Sequence, residues 1–181
     1  MYHKRPKATY EAHRASPVQA SLFVDEPNGL DDPDDRWTPR RFIEELPYKF
    51  TLDVAASSKN AVCNRYFDKA KNGLLQPWTG ERVWCNPPYS DVEPWVRKAM
   101  TEIYTGCLLV AMLVPANRTE QPWWQNWIEP NRDGRHTALI RITTRFIRSR
   151  VQFGNVGNES KQPPFGCVLI VFEPPKKRKS K

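Results

Sequence analysis

Apolar residues are scarce before position 36, where Leu22-Phe23-Val24 is the one hydrophobic patch between alternating basic and acidic stretches. From Trp37 onward they fall into a recurring order of short periodic segments separated by proline and glycine. Thr38 as a cap with Pro39 at the first helical position predicts a short helix over Arg40 to Leu46, ended by Pro47. Tyr48 to Val54 alternates and then turns apolar, as an early strand does. Ala55 to Ser58 reads as a small-residue turn, Asn60 to Phe67 as a short helix, and Asn72-Gly73 as a turn. Val83 to Cys85 predicts a brief buried strand. In Asp91 to Tyr104, residues Val92, Trp95, Val96, Ala99, Met100 and Ile103 share one helical face. Cys107 to Val114 is almost continuously apolar, the pattern of a central parallel strand. Pro122 opens a helix over Trp123 to Ile128, and Ala138 to Ile140, Arg150 to Phe153 and Phe165 to Phe172 read as strands. Strands alternating with helices and then giving way to strands imply a doubly wound α/β sheet, mostly parallel, with an antiparallel C-terminal end.

The length of 181 residues suits one domain. The boundaries expected are a flexible arm over 1–35, a domain over 36–173 and a basic tail over 174–181. There is neither a long apolar run nor an apolar N-terminal leader, so a cytoplasmic location is expected. The cysteines at 63, 85, 107 and 167 form no Cys-x-x-Cys pair, and the last three lie in apolar segments that suit buried thiols. Histidines occur at 3, 13 and 136, two of them in the arm, so no metal site and no histidine-based triad is expected.

Charge changes the picture further. The net charge is +8, and the span from Arg132 to Arg150 carries six arginines against the single acid Asp133. An internal cluster of this kind points to a nucleic-acid partner. The region from about 116 to 160 is the expected DNA contact, with Arg118, Arg135, Arg141, Arg145, Arg148 and Arg150 as candidates. The plainer reading of these arginines is a solvated charged face.

The candidate chemistry lies in Val83-Trp84-Cys85-Asn86-Pro87-Pro88-Tyr89. Two consecutive prolines fix φ and force Asn86 into extended backbone, so an amide, a carbonyl and an aromatic ring leave the strand in one rigid arrangement. The Asn86 oxygen and the Pro87 carbonyl can accept the N–H groups of a planar amine while Tyr89 stacks on the ring that bears it. Trp84 points the opposite way by strand alternation and belongs to the core. Upstream, Leu52-Asp53-Val54-Ala55-Ala56 sets a carboxylate and then small residues at a strand end, where ligands approach open α/β sheets. Asp53 can equally cap its own turn.

Trp37-Thr38-Pro39, Leu52 to Ala56, Asn72-Gly73-Leu74, Trp78-Thr79-Gly80, Trp84 to Ser90, Arg150 to Phe153 and Pro164-Phe165-Gly166 together resemble the phage-type DNA N6-adenine methyltransferase family. The resemblance runs from about residue 36 to 172. It implies a Rossmann-like fold that uses S-adenosylmethionine, with Asp53, Ala55, Ala56 and Asn72 binding the cofactor and Trp37, Thr38 and Pro39 covering it. It further implies that Asn86, Pro87, Pro88 and Tyr89 hold an adenine flipped from double-stranded DNA. Ala55-Ala56 replaces the glycine-rich turn of many methyltransferases, and Asn72 stands where the family favours an acid. The open alternatives are N4-cytosine methylation, methylation of a protein glutamine amide, which the basic charge disfavours, and a non-catalytic DNA-binding protein on the same fold. A monomer or weak dimer is expected.

Overall fold

A computed structural model describes residues 36–135, 139–154 and 163–175; the expected arm over 1–35 and the tail residues 176–181 lie outside them. The elements in chain order are helix α1 (Arg40–Glu44), strand β1 (Leu52–Asp53), a 3₁₀ turn (Gly73–Leu75), β2 (Arg82–Cys85), helix α2 (Glu93–Tyr104), β3 (Leu109–Pro115), a π-helical turn (Trp124–Ile128), β4 (Arg141–Phe146) and β5 (Cys167–Glu173). They form one sheet in the order β1-β2-β3-β5-β4. Strands β1, β2 and β3 are parallel, and β5 runs antiparallel to both β3 and β4. Four strands therefore point one way, with the antiparallel strand inserted before the last of them. This is the Rossmann-like α/β sheet expected from the sequence. No helix among the described residues is long and apolar enough to cross a membrane.

The apolar runs become β3 and β5 because both of their faces are covered. Val110, Met112 and Val114 of β3, with Val168, Ile170 and Phe172 of β5, face a core completed by Trp95, Val96, Ala99 and Ile103 of α2 and by Trp78, Trp123 and Trp124. The alternate residues Leu109, Ala111, Leu113, Leu169 and Val171 pack on the other face with Leu46, Trp84, Tyr89, Val151 and Phe153, against Phe42 and Ile43 of α1. Trp84 is core, as alternation predicts.

Several local expectations are revised. Thr38 makes no capping bond; Pro39 occupies the cap, and its carbonyl accepts from Phe42 N at 3.0 Å. Only Leu52 and Asp53 of the expected strand 48–54 enter the sheet. Residues 60–67 form no helix, because their backbone serves the open edge of β1: Asp53 N donates to Arg65 O at 3.0 Å and Phe67 N to Asp53 O at 2.8 Å. Beyond residue 135, the strand starts at Arg141, after Leu139 and Ile140, and Ala138 lies outside the described residues. Val151 and Phe153 are buried without joining the sheet, and Gly154 alone pairs, with Trp37. After Pro122 the chain widens into a π turn closed by Glu129 N on Trp124 O at 2.8 Å, which seats the adjacent rings of Trp123 and Trp124 in the core together.

A buried carboxylate ties α2 to the turn ahead of β2. Glu102 accepts from Trp78 N at 2.7 Å and from Lys98 Nζ at 2.6 Å, while the fully buried Trp78 donates from Nε1 to Gly73 O at 3.0 Å. Glu102→Ala leaves a buried N–H and an ammonium without partners and is expected to cost about 3 kcal/mol in urea unfolding. Glu102→Gln, which keeps an acceptor for Trp78, should recover part of this. A loss under about 1 kcal/mol for the alanine variant would show that the contact is incidental.

Candidate active site

The site forms where parallel strands end. β1 and β2 pair in register, Asp53 opposite Trp84, and the ladder continues one step further through Val54 N on Trp84 O at 3.1 Å. The turn after Asp53 and the turn after Cys85 therefore leave the sheet side by side. β5 runs the other way, so its start at Cys167 lies beside the end of β3 at Pro115 and brings Phe165 to the same edge.

Asn86 follows β2 directly. Its Nδ2 donates to the Arg36 carbonyl at 2.7 Å. A carbonyl can only accept, so this bond turns Oδ1 the other way, where it is buried without a hydrogen-bond partner. Arg36 is in turn held by its neighbour: Trp37 and Gly154 exchange two backbone hydrogen bonds of 3.0 and 3.1 Å. Tyr89 lies within the core, edge-on to Phe153 and tilted against Phe165, and the Arg36 guanidinium sits 4.7 Å from its ring centre. Burial, with the neighbouring Cys167, pushes the Tyr89 phenol well above its ordinary value, so it is no base at neutral pH. The Thr38 hydroxyl is a second buried oxygen without a partner.

Asp53 shapes its own turn. Oδ1 accepts from Ala55 N at 3.3 Å and Oδ2 from Val62 N at 3.1 Å. Burial raises its carboxyl to about 6, against these two N–H groups, and no cationic side chain offsets the burial. Ala55 and Ala56 are half-buried in the loop that Asp53 organises. Asn72 is exposed, with φ 51°, and caps the 3₁₀ turn by accepting from Leu74 N at 3.1 Å. The next residue must be glycine, because a Cβ on Gly73 would fall 2.1 Å from the Val54 carbonyl oxygen. The 3₁₀ turn thus lies directly on the exit of β1. Asp68 follows the Tyr66 bridge at this end of the sheet and accepts from Lys71 N at 2.8 Å. Among the described residues, no cluster of histidine, cysteine and carboxylate side chains could hold a metal ion.

The arginines divide by sheet direction. Arg118 lies just beyond β3, Arg145 near the end of β4, and Arg148 and Arg150 in the segment that follows, all exposed and all at the site end. Arg141 begins β4 at the opposite end and pairs with Glu173. Arg135 precedes β4 and pairs with Glu129 at 2.6 Å. Glu129 is held down to about 2, chiefly by Arg132 and then by the Trp124 N–H and Arg135. Arg135 and Arg141 thus serve ion pairs at the opposite end of β4 from Arg145.

The sequence profile of the DNA N-6-adenine-methyltransferase (Dam) family matches residues 27–180. The chain belongs to this family. A relative from Escherichia phage T1, named DNA N-6-adenine-methyltransferase, is 36% identical over 99 residues, covering 50% of this chain and 41% of its own length. A second of that name, from Haemophilus phage HP1, is 28% identical over 128 residues, covering 70% of this chain and 68% of its own. The chain thus spans about two fifths of the first relative and about two thirds of the second. Among solved structures, a chain described as a candidate RNA methyltransferase from Pyrococcus horikoshii aligns over 71% of this chain and 63% of that one, at 10% identity and a TM-score of 0.41. The family resemblance drawn from the turns before and after β2 is borne out.

Three residues around this candidate site in the Dam-family chain were not assigned from sequence. Phe165 and Phe153 read from the sequence as strand residues, and their meeting with Tyr89 depends on how distant segments pack. Arg36 was the residue before a motif, with no signal of its own.

The Asp53 carboxyl gives a pH test. Its folded value of about 6 exceeds the ordinary 3.8, so the neutral form favours the fold. That contribution is complete below the unfolded value and is lost as pH rises through about 6. The stability of the parent relative to Asp53→Asn should fall by on the order of 3 kcal/mol across that window. A difference that stays flat with pH would mean that the carboxyl is not buried as described.

Proposed function

We propose that the chain transfers a methyl group from S-adenosylmethionine to N6 of an adenine extruded from double-stranded DNA. The observation that carries this is the Asn86 Oδ1, buried without a partner, its amide oriented by the Arg36 carbonyl, in the same short turn as Tyr89. An amine entering there donates one N–H to Oδ1. The Pro88 carbonyl is engaged by Asp91 N at 3.3 Å, and the Pro87 carbonyl would accept the second N–H. The stacking surface is Tyr89, with Phe165 tilted beside it.

The cofactor would be held by Trp37 to Pro39 and by the Asp53 to Ala56 turn, with the cap at Asn72 and the glycine-only contact at Gly73 closing on it. The residues fit such a group: Thr38 offers a buried hydroxyl without a partner, and Asp53 a buried carboxyl without a cation. When bound, S-adenosylmethionine supplies a methyl group already activated by a cationic sulfur. Positive charge then grows on the adenine nitrogen during transfer, and two fixed oxygen dipoles stabilise it without solvent reorganisation. The proton leaves afterwards to water, so the site needs no histidine. Arg118, Arg145, Arg148 and Arg150 would hold the phosphates.

Asn86→Ala is expected to lose roughly 2–4 kcal/mol of transition-state stabilisation in transfer to DNA, with cofactor affinity nearly unchanged. Methylation at the parent rate would remove Asn86 from the site. For DNA binding, Arg148→Ala and Arg150→Ala should each lower the slope of log K against log salt by about one, whereas Arg135→Ala and Arg141→Ala should leave it unchanged. Equal effects from all four would erase the division by sheet end.

A further inference from the structure

The Arg36 side chain occupies the place that the proposed function gives to the target base. Its guanidinium lies over the ring of Tyr89, 4.7 Å from its centre, and 5.7 Å from the ring centre of Phe165. Tyr89 is 8% exposed, and the Asn86 oxygen of the same turn is buried, so the pocket is closed in this form of the protein. The other ring contacts of Tyr89 are the edge-on Phe153 and the tilted Phe165, both anchored in the chain that builds the core. The cover from Arg36, by contrast, is the end of a long side chain. The Arg36 backbone can stay where it is, because the Trp37–Gly154 pair and the carbonyl bond to Asn86 do not involve the guanidinium.

We propose that Arg36 is a stand-in for the target base: its guanidinium covers the face of Tyr89 in the DNA-free protein and must swing out before an adenine can stack there. This rests on the reading of Asn86 to Tyr89 as an adenine pocket. A guanidinium suits the task because it is planar, stacks on aromatic faces and is weakly hydrated, much like the base it replaces. The closed pocket keeps Tyr89 dry and the turn preorganised until a base competes for it. The contact also taxes binding, because the base meets only the fraction of molecules in which that face is open. A cation–π contact of about 0.5–2 kcal/mol corresponds to a penalty of roughly 2- to 30-fold.

The test separates base stacking from phosphate contacts by using adenosine, which has no phosphate. With the cofactor site saturated by S-adenosylhomocysteine, adenosine binding is titrated by NMR for the parent, Arg36→Ala, Arg36→Lys and Tyr89→Leu. Arg36→Ala is expected to bind adenosine about 2- to 30-fold more tightly than the parent. Arg36→Lys should fall between them, and Tyr89→Leu should bind more weakly. A thermal melt of each variant establishes that it is folded, and Arg36→Met keeps the stem's bulk should the alanine variant melt early. Equal or weaker binding by Arg36→Ala and Arg36→Met, or none that can be detected, overturns the stand-in. If Tyr89→Leu loses binding while the Arg36 variants gain nothing, only this inference fails. If Tyr89→Leu binds as the parent does, the adenine pocket itself is misplaced.

Discussion

A buried amide oxygen left without a hydrogen bond costs about 1–3 kcal/mol, and the protein keeps one at Asn86. Everything around it prevents the side chain from relaxing into a satisfied position. Pro87 and Pro88 fix the backbone of the turn, so Asn86 cannot back away. The Arg36 carbonyl engages the amide nitrogen and rules out rotation of the amide. The Trp37–Gly154 pair locks that carbonyl in place, and Gly154 is itself positioned by Val151 and Phe153, buried on the sheet. An acceptor held in this way is a standing deficit that an N–H donor of the right shape relieves. Stored strain of this kind is a familiar property of binding and catalytic turns.

The sheet direction explains why the rest of the site collects there. Parallel pairing of β1 with β2 places the Asp53 and Asn86 turns side by side, and the reversal of β5 returns Phe165 to the same edge. The same direction sorts the positive charge. Arg145, Arg148 and Arg150 lie at the site end, while Arg141 and Arg135 stabilise the other end through Glu173 and Glu129. On the proposed function, the arginines at the site end would form a phosphate-binding rim, and those in ion pairs would not.

Much of this was legible in the chain, for physical reasons that differ by element. The continuous apolar run of β3 and the one-sided face of α2 announce themselves, because burial on two faces and on one face leave distinct periodicities. The Asn-Pro-Pro-Tyr turn was legible because proline restricts conformation whatever the tertiary setting. Residues 60–67 were misread as a helix, since nothing local records that β1 has an open edge in need of hydrogen bonds. Thr38 was misread as a cap because Pro39 takes that position and the Thr38 hydroxyl is buried away from the helix N–H groups. Arg36 gave no signal at all: its part depends on contacts with residues 50 and more positions away. The same holds for Arg135 and Arg141, whose carboxylate partners only the fold reveals.

The most direct test of the central claim is to incubate the purified protein with unmethylated duplex DNA and S-adenosylmethionine carrying a labelled methyl group, digest the DNA, and identify the labelled nucleoside. Label in N6-methyladenine is the predicted result. Label in N4-methylcytosine would keep the amine chemistry of Asn86 and contradict the base; no label in any nucleoside, with the cofactor shown not to bind, would contradict the transfer itself.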